Sequence, residues 1–213
     1  IIVDGASKDN TLKIVAQFPH IAKVISEPDK GIYDAMNKGF RSATGDIVGI
    51  LNSDDFYPDN NIIAKVVKAF EKNDTDSVFG DISFVSPNNL YKTIRYYSSA
   101  KFNPEKFAYG YMPAHPSFFA KRKFYEKYGL FKTDYKIAAD YEILIRLLYV
   151  NKLSYKYLPL SMVTMRAGGA SNESLYSRYI LNKEIVRACR ENGIKTNLFK
   201  VSLKYFKKVF EYV

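Results

Sequence analysis

Apolar positions along this chain follow two rhythms. Over the first two thirds, short β-branched runs alternate with stretches whose apolar residues recur every three or four positions. That alternation predicts strand, crossover helix and strand, hence an α/β domain with a mostly parallel sheet flanked by helices. The predicted strands are Ile1–Val3, Ala22–Ser26, Ile47–Leu51 and Ser77–Phe79. The clearest helices are Asn61–Lys72, with Ile63, Val66, Val67 and Phe70 on one face, and Ala138–Asn151, with Tyr141, Leu144, Ile145 and Leu148 on one face. From Pro87 to Pro116 Tyr, Asn, Ser and Pro break the rhythm, so this stretch reads as irregular, with a strand near Lys92–Arg95. Past Gly168-Gly169 the pattern turns helical to the end, interrupted at Asn192-Gly193. Two regions follow, a main domain over residues 1–171 and a C-terminal helical region over 172–213.

Composition narrows the class. The 213 residues are 47% apolar and 25% charged, as in a globular protein and unlike a disordered or disulfide-stapled chain. Cys189 is the single cysteine, which excludes an internal disulfide and fits a reducing compartment. Apolar runs stay short of the ~18 residues that a membrane-spanning helix needs. The net charge is +10, and residues 178–213 hold nine Lys and Arg against three Glu. The implied partner is anionic, and nucleic acid, an acidic membrane and a phosphorylated substrate all meet that description.

Candidate chemistry sits where strands end. Gly45–Leu51 is an apolar run that stops abruptly at Asn52-Ser53-Asp54-Asp55. In open α/β sheets ligands bind outside the carboxyl ends of strands. Asp54 and Asp55 therefore sit where carboxylates could hold Mg²⁺ or Mn²⁺, with water and phosphate oxygens completing the shell. The alternative is that Asp54, Asp55 and Asp59 turn the chain and cap the next helix. Asp4-Gly5-Ala6-Ser7-Lys8-Asp9 is a second strand-to-helix turn, in which Asp4 could meet a base or ribose, or simply belong to a turn capped at Asp9. A third turn, Glu27-Pro28-Asp29-Lys30-Gly31, feeds a short helix bearing Asp34, Asn37 and Lys38. Neither a dinucleotide nor a Walker fingerprint is present.

These three elements, in this order, resemble the family-2 glycosyltransferases of the GT-A fold, in the branch that builds bacterial polysaccharides. The resemblance continues through His115-Pro116-Ser117, through Ala139-Asp140-Tyr141-Glu142 and through Arg166-Ala167-Gly168-Gly169-Ala170-Ser171. It implies a metal-dependent enzyme that moves a sugar from a nucleotide-diphosphate donor to an acceptor hydroxyl, with inversion, in surface polysaccharide or glycolipid synthesis. By resemblance Asp54 and Asp55 hold the metal. Asp4, Asp29, Asp34, Asn37, Lys38, Asn52 and Arg166 lie in the nucleotide-sugar site, His115 meets acceptor or phosphate, and Asp140 is the base. Local alternatives stand beside these roles: Asp140 as a helix cap, His115 as a loop histidine, Arg166 as solvated, and Glu142 with Arg146 as a surface ion pair.

Two departures accompany the resemblance. Asn52 stands where many members carry the first Asp of an Asp-x-Asp triplet, and the family's first strand and helix have no counterpart before Ile1. The rival readings are a catalytically inactive nucleotide-sugar-binding module and a nucleic-acid binder; the basic residues show no nucleic-acid motif, so no nucleic-acid partner is expected. The expected acceptor is a saccharide or a lipid-linked saccharide. From Leu198 onward, Leu198, Val201, Tyr205, Val209 and Tyr212 form one apolar stripe and Phe199, Leu203, Phe206, Phe210 and Val213 a second. Lys200, Lys204, Lys207 and Lys208 gather opposite. That pattern suits either a docked terminal helix or a helix lying on an anionic membrane, and it suggests a cytoplasmic protein at the inner face of the membrane.

Overall fold

The computed structural model of the chain describes residues 1–167 and 175–205. Among these the strands are β1 (Ile2–Asp4), β2 (Val24–Ser26), β3 (Ile47–Gly49), β4 (Ser77–Ser86), β5 (Asn89–Tyr97), β6 (Phe119–Lys121) and β7 (Tyr155–Arg166). The α-helices are α1 (Thr11–Val15), α2 (Ile32–Ser42), α3 (Ile62–Asn73), α4 (Arg122–Tyr128), α5 (Ala139–Leu144), α6 (Leu175–Glu191) and α7 (Leu198–Ser202).

β1 and β2 pair in parallel, with Val3 opposite Ile25. The other five strands form a second sheet around β4. β7 runs parallel along one edge of β4. β6, at Ser77–Val78, and β5, from Ile82 onward, share the opposite edge, both antiparallel. β3 extends the sheet beyond β6, again antiparallel. The expectation of a mostly parallel sheet is therefore corrected to a mixed one. The cause lies in the segment expected to be irregular apart from a strand near Lys92–Arg95: that strand forms as Asn89–Tyr97 and folds back on β4 as a hairpin. β5 is an edge strand whose side chains are largely exposed, so no apolar alternation disclosed its partner or direction.

Successive residues of β4 face opposite sides of the sheet. Val78 and Ile82 join one apolar cluster with Ile62, Val66 and Phe70 of α3, and Phe79 joins the other with Tyr141, Leu144 and Leu148. The buried face of α3 also includes Ala69, whereas Ile63 and Val67, assigned to the core from the sequence, are 44% and 40% exposed. The small Ala69 marks the side where helix and sheet approach.

The helix predicted over Ala138–Asn151 forms as α5 followed by a π-helical stretch, Ile145–Val150. It is buried almost all round, and that corrects the expected surface ion pair. Glu142 is fully buried, 2.7 Å from Arg146 and 3.0 Å from Lys132. Arg146 also donates to the carbonyls of Tyr128 (2.6 Å) and Leu130 (2.8 Å). A buried charge needs both a counter-ion and satisfied hydrogen bonds, and this network supplies both.

The C-terminal helices share this core. Ile185, Ala188, Cys189, Ile194 and Val201 pack in the same cluster as Tyr141 and Leu144. The break at Asn192-Gly193 is real, with Gly193 at φ +76°, and Asn197 caps α7 by accepting from the Lys200 N–H at 2.9 Å. Burial pushes the Cys189 thiol up to about 11. The predicted boundary between residues 171 and 172, the Gly168–Ser171 motif and tail residues Phe206 to Val213 lie outside the described residues.

Candidate active site

The first turn is tied by its own carboxylate. Asp4 is 6% exposed and accepts from the Ser7 N–H (3.0 Å), the Ser26 hydroxyl (2.7 Å) and the Ser7 hydroxyl. Those bonds, the Ser7 hydroxyl foremost, hold its carboxyl below the usual range. A Cβ on Gly5 would lie 2.6 Å from Asp29 Oδ2, so the glycine lets the first and third turns touch. Asp29 accepts from the Gly31 N–H at 2.8 Å, and Gly31 adopts φ +112° as it opens α2.

On α2 the period of 3.6 sorts the three named residues. Asp34 accepts from the Lys30 N–H (3.0 Å), which lowers its carboxyl, and lies 3.7 Å from Lys38. Lys38 also meets Glu27 at 3.0 Å and the Pro28 carbonyl at 2.8 Å, and its ammonium is held up chiefly by the Glu27 bond. Together they clamp the turn. Asn37, expected to touch the nucleotide sugar, lies on the buried face with Tyr33 and Phe40. Its amide donates to the Phe131 carbonyl and accepts from the Phe131 N–H, both at 2.9 Å, so its hydrogen bonds are used in joining α2 to that loop.

A cavity of about 900 Å³ opens beyond these turns. Its wall includes Asn52, Ser53 and Asp54 after β3, His115, Asp140, and the basic residues Arg95, Lys136, Arg166 and Lys204. Asp4, Asp29, Asp34, Asn37, Lys38 and Asp55 do not form its wall.

Asp55 sits behind Asp54. It is 7% exposed and accepts from the Asn52 amide at 3.1 Å, while its Oδ1 is buried with no partner. Burial first, and the charge of Asp54 second, push its carboxyl up to about 6. An orphaned carboxylate oxygen beside a second carboxylate suits a hard divalent cation, and the oxygen-only donor set is the one Mg²⁺ and Mn²⁺ prefer. No cluster of three or more acidic, His or Cys side chains exists among the described residues, so most of the coordination would come from water and ligand. Of the three carboxylates weighed for turning and capping, Asp59 turns the chain into α3, accepting from the Asn61 N–H at 2.9 Å and pairing with Lys65, while the N-cap itself is Asn61, without a side-chain cap bond.

Across the cavity wall His115 Nδ1 lies 3.4 Å from Asp140 Oδ2, with side chains 18% and 16% exposed. His115 Nε2 is buried and has no partner. Burial raises the Asp140 carboxyl above its ordinary range, and His115 pulls it back only in part. In the first turn of α5 the Asp140 carboxylate accepts from the Tyr141 N–H at 2.7 Å, so a helix-terminal bond and a place on the cavity wall coexist in one residue. Glu184 of α6 ties the segment that enters the helix, its carboxylate accepting from the N–H groups of Lys136 (2.7 Å), Ile137 (2.9 Å) and Ala138 (2.9 Å). The short turn that carries His115 is tied to β4 through Ser117, whose hydroxyl lies 2.9 Å from the Gly80 carbonyl and 2.7 Å from the Ala114 carbonyl and accepts from the Gly80 N–H at 3.2 Å.

Sequence reasoning named Arg166 at the cavity but missed Arg95 and Lys136, and noted Lys204 only in the tail. Arg95 stacks over Phe84 at 4.5 Å; a strand is expected there, but no local pattern predicts its pairing with β4, which brings Arg95 to the cavity. Glu184 was missed for the same reason, because its partners lie more than 40 positions away.

Comparison with known proteins decides the family. Residues 1–131 match the sequence model described as Glycosyl transferase family 2. The chain belongs to that family. A PGL/p-HBAD biosynthesis glycosyltransferase of Mycobacterium bovis (strain BCG / Pasteur 1173P2) is 27% identical over 193 residues, covering 88% of this chain and 70% of the relative. An uncharacterized glycosyltransferase of Mycobacterium tuberculosis (strain ATCC 25618 / H37Rv) is 32% identical over 150 residues, covering 68% of this chain and 55% of the relative. Two solved structures share the fold. S. aureus TarS 1-349 in complex with UDP-GlcNAc superposes with a TM-score of 0.61 at 16% identity, covering 87% of this chain and 55% of that one. The mannosyltransferase PcManGT from Pyrobaculum calidifontis, in complex with GDP-Man and Mn²⁺, gives 0.60 at 20% identity, covering 92% and 56%. This family 2 chain thus has the GT-A glycosyltransferase fold and spans about half the length of the solved structures it matches.

Proposed function

We propose that this family 2 chain transfers a sugar from a nucleotide-diphosphate donor to an acceptor hydroxyl, with inversion, in the synthesis of surface polysaccharide or glycolipid. The observation that carries the reading is the convergence on one cavity of two unlike acidic sites, Asp54 backed by Asp55 and Asp140 facing His115. Sugar transfer needs both. Charge grows on the departing diphosphate, and a divalent cation held by Asp54 and Asp55 would supply charge neutralisation there. Arg95, Lys136, Arg166 and Lys204 add positive charge on the wall, suited to phosphate oxygens. The acceptor hydroxyl is a weak nucleophile at neutral pH, so its proton must pass to a base as the new bond forms. Asp140 takes that proton, and its raised carboxyl makes it a stronger base than an ordinary aspartate. His115 orients Asp140 through the Nδ1 contact and offers Nε2 to the substrate. Asp4 and Asp29 shape the nucleotide side of the site through the touching turns, and Asp34 with Lys38 holds that turn in place.

The test is a screen of nucleotide sugars by calorimetry with Mn²⁺ or Mg²⁺, followed by turnover measurements. Asp54→Ala is expected to abolish metal-dependent donor binding without unfolding the chain, since Asp54 is exposed at a turn. Asp140→Asn is expected to keep donor binding while kcat falls by ~10²-fold or more. Undiminished donor affinity in the first variant, or near-normal kcat in the second, refutes the corresponding role. Donor binding without any turnover would favour the inactive binding module.

No helix among the described residues is long and apolar enough to cross a membrane. The basic tail supports a peripheral placement at the inner, anionic face of the membrane, where a lipid-linked acceptor would be met.

A further inference from the structure

A second cavity, of about 640 Å³, lies on the opposite face of the β4–β5–β7 sheet from the first. The two are separated by strand alternation: Ile82 and Phe84 line the first cavity, Ser83 and Val85 the second. Its chemistry is unlike the rest of the surface. In a chain with 25% charged residues and a net charge of +10, no Asp, Glu, Lys, Arg or His lines it. The wall consists of aromatic and aliphatic side chains interleaved with hydroxyls and amides.

Three observations say that these polar groups are offered outward. Thr164 is only 6% exposed, lines the cavity, and its hydroxyl has no hydrogen-bond partner among the described residues, although both of its backbone groups are bonded to Phe56. The Thr164 hydroxyl is not among the buried orphaned atoms, so it stands unpartnered at the cavity, where it can meet a ligand. Next to it the Ser83 and Ser161 hydroxyls bond each other at 2.8 Å, and Ser161 also reaches the Val163 carbonyl at 3.4 Å, which leaves lone pairs on both for a donor. At the rim, on the β4–β5 hairpin, Tyr91 is fully exposed with its ring unpacked and Leu90 is 38% exposed.

Uncharged hydroxyls and amides facing an exposed aromatic ring match a neutral polyhydroxylated ligand. Such a ligand offers many hydroxyls to neutral donors and acceptors, and an apolar face to a ring. Phe56, which follows Asp55 directly, exchanges two backbone bonds with Thr164 at 3.0 and 2.8 Å, so an occupant of this cavity touches the segment that carries the candidate metal site. We propose that the second cavity is a saccharide subsite that holds a neutral portion of the acceptor glycan remote from the reacting hydroxyl. This deepens the sugar-transfer reading and rests on it.

The experiment uses the whole chain and a panel of neutral oligosaccharides of glucose, galactose, mannose, rhamnose and N-acetylglucosamine, with polygalacturonate as a charged control, in titration calorimetry. At least one neutral oligosaccharide is expected to bind, with an affinity insensitive to salt because no charge is paired. Tyr91→Ala, at a fully exposed position, and Thr164→Val, which keeps the shape and removes the hydroxyl, are each expected to weaken it about tenfold or more, the size of one lost contact. Asp54→Ala is expected to leave oligosaccharide affinity unchanged while losing nucleotide-sugar affinity. Absence of binding across the panel, or equal affinity in Tyr91→Ala and the parent, overturns the subsite; retained nucleotide-sugar affinity in Asp54→Ala instead refutes the metal site, and the two failures are distinct.

Discussion

A carboxylate at a strand end either ties the chain or awaits a ligand, and its hydrogen-bond partners tell which. Asp4 has three internal donors and Asp59 ties the turn before α3, whereas Asp55 keeps one buried oxygen without any partner. The raised Asp55 carboxyl gives a pH signature. The folded state holds its proton up to about 6, the unfolded state only to the ordinary carboxylate range of ~4. Between these values the folded chain binds the extra proton, so the Asp55 contribution to stability is greatest at low pH and is lost as pH rises across the window. A divalent cation acts in the opposite sense, because it binds the ionised form. In thermal melts Mn²⁺ is expected to raise the midpoint above about pH 6 and to have little effect near pH ~4. A Mn²⁺ shift that persists in full in Asp55→Ala removes Asp55 from the site.

At the scale of elements, the same helix can serve two masters, and burial decides which residue serves which. α2 has Tyr33, Asn37 and Phe40 inward and Asp34 and Lys38 on its half-exposed side. The asparagine stood in the sequence beside residues that suit ligand contact, yet it fastens α2 to Phe131, 94 positions away. Asn37→Ala leaves the Phe131 N–H and carbonyl without their partner in the interior. Each orphaned group costs about 1–3 kcal/mol, so a loss of roughly 2–6 kcal/mol is expected in urea denaturation, with donor affinity per folded molecule retained. A variant as stable as the parent but weaker for donor would return Asn37 to the binding site. α5 and α6 divide the labour in another way: Glu184 of the neighbouring helix ties the chain entering α5, while Asp140 accepts from the Tyr141 N–H with one oxygen and faces His115 with the other.

For the whole molecule, the C-terminal helices are part of the main core, since Val201 is fully buried in it while Leu198 and Phe199 are 44% and 73% exposed. Cutting the chain after Asn197 would therefore open the core, and the membrane proposal is better tested by charge alone. Replacing Lys200, Lys207 and Lys208 by Gln removes up to about 1 kcal/mol of attraction per residue to an anionic surface. Co-sedimentation with anionic vesicles is expected to fall at least roughly tenfold, and equal partitioning would end the proposal. The sequence by itself determined the family, the order of strands and helices in the first half, and the carboxylate-bearing turns Asp4–Asp9, Glu27–Gly31 and Asn52–Asp55. Turn residues and apolar periodicity act over a few neighbours, so they can be read locally. Only the tertiary structure decided strand direction, the burial of Glu142 with Arg146 and the use of Asn37 as a fastener. It alone brought Arg95, Lys136 and Lys204 to the cavity and set an uncharged second cavity behind the sheet. Each of these depends on partners dozens of residues away, and burial, which decides whether a polar side chain ties the chain or meets a ligand, exists only once the chain has closed on itself.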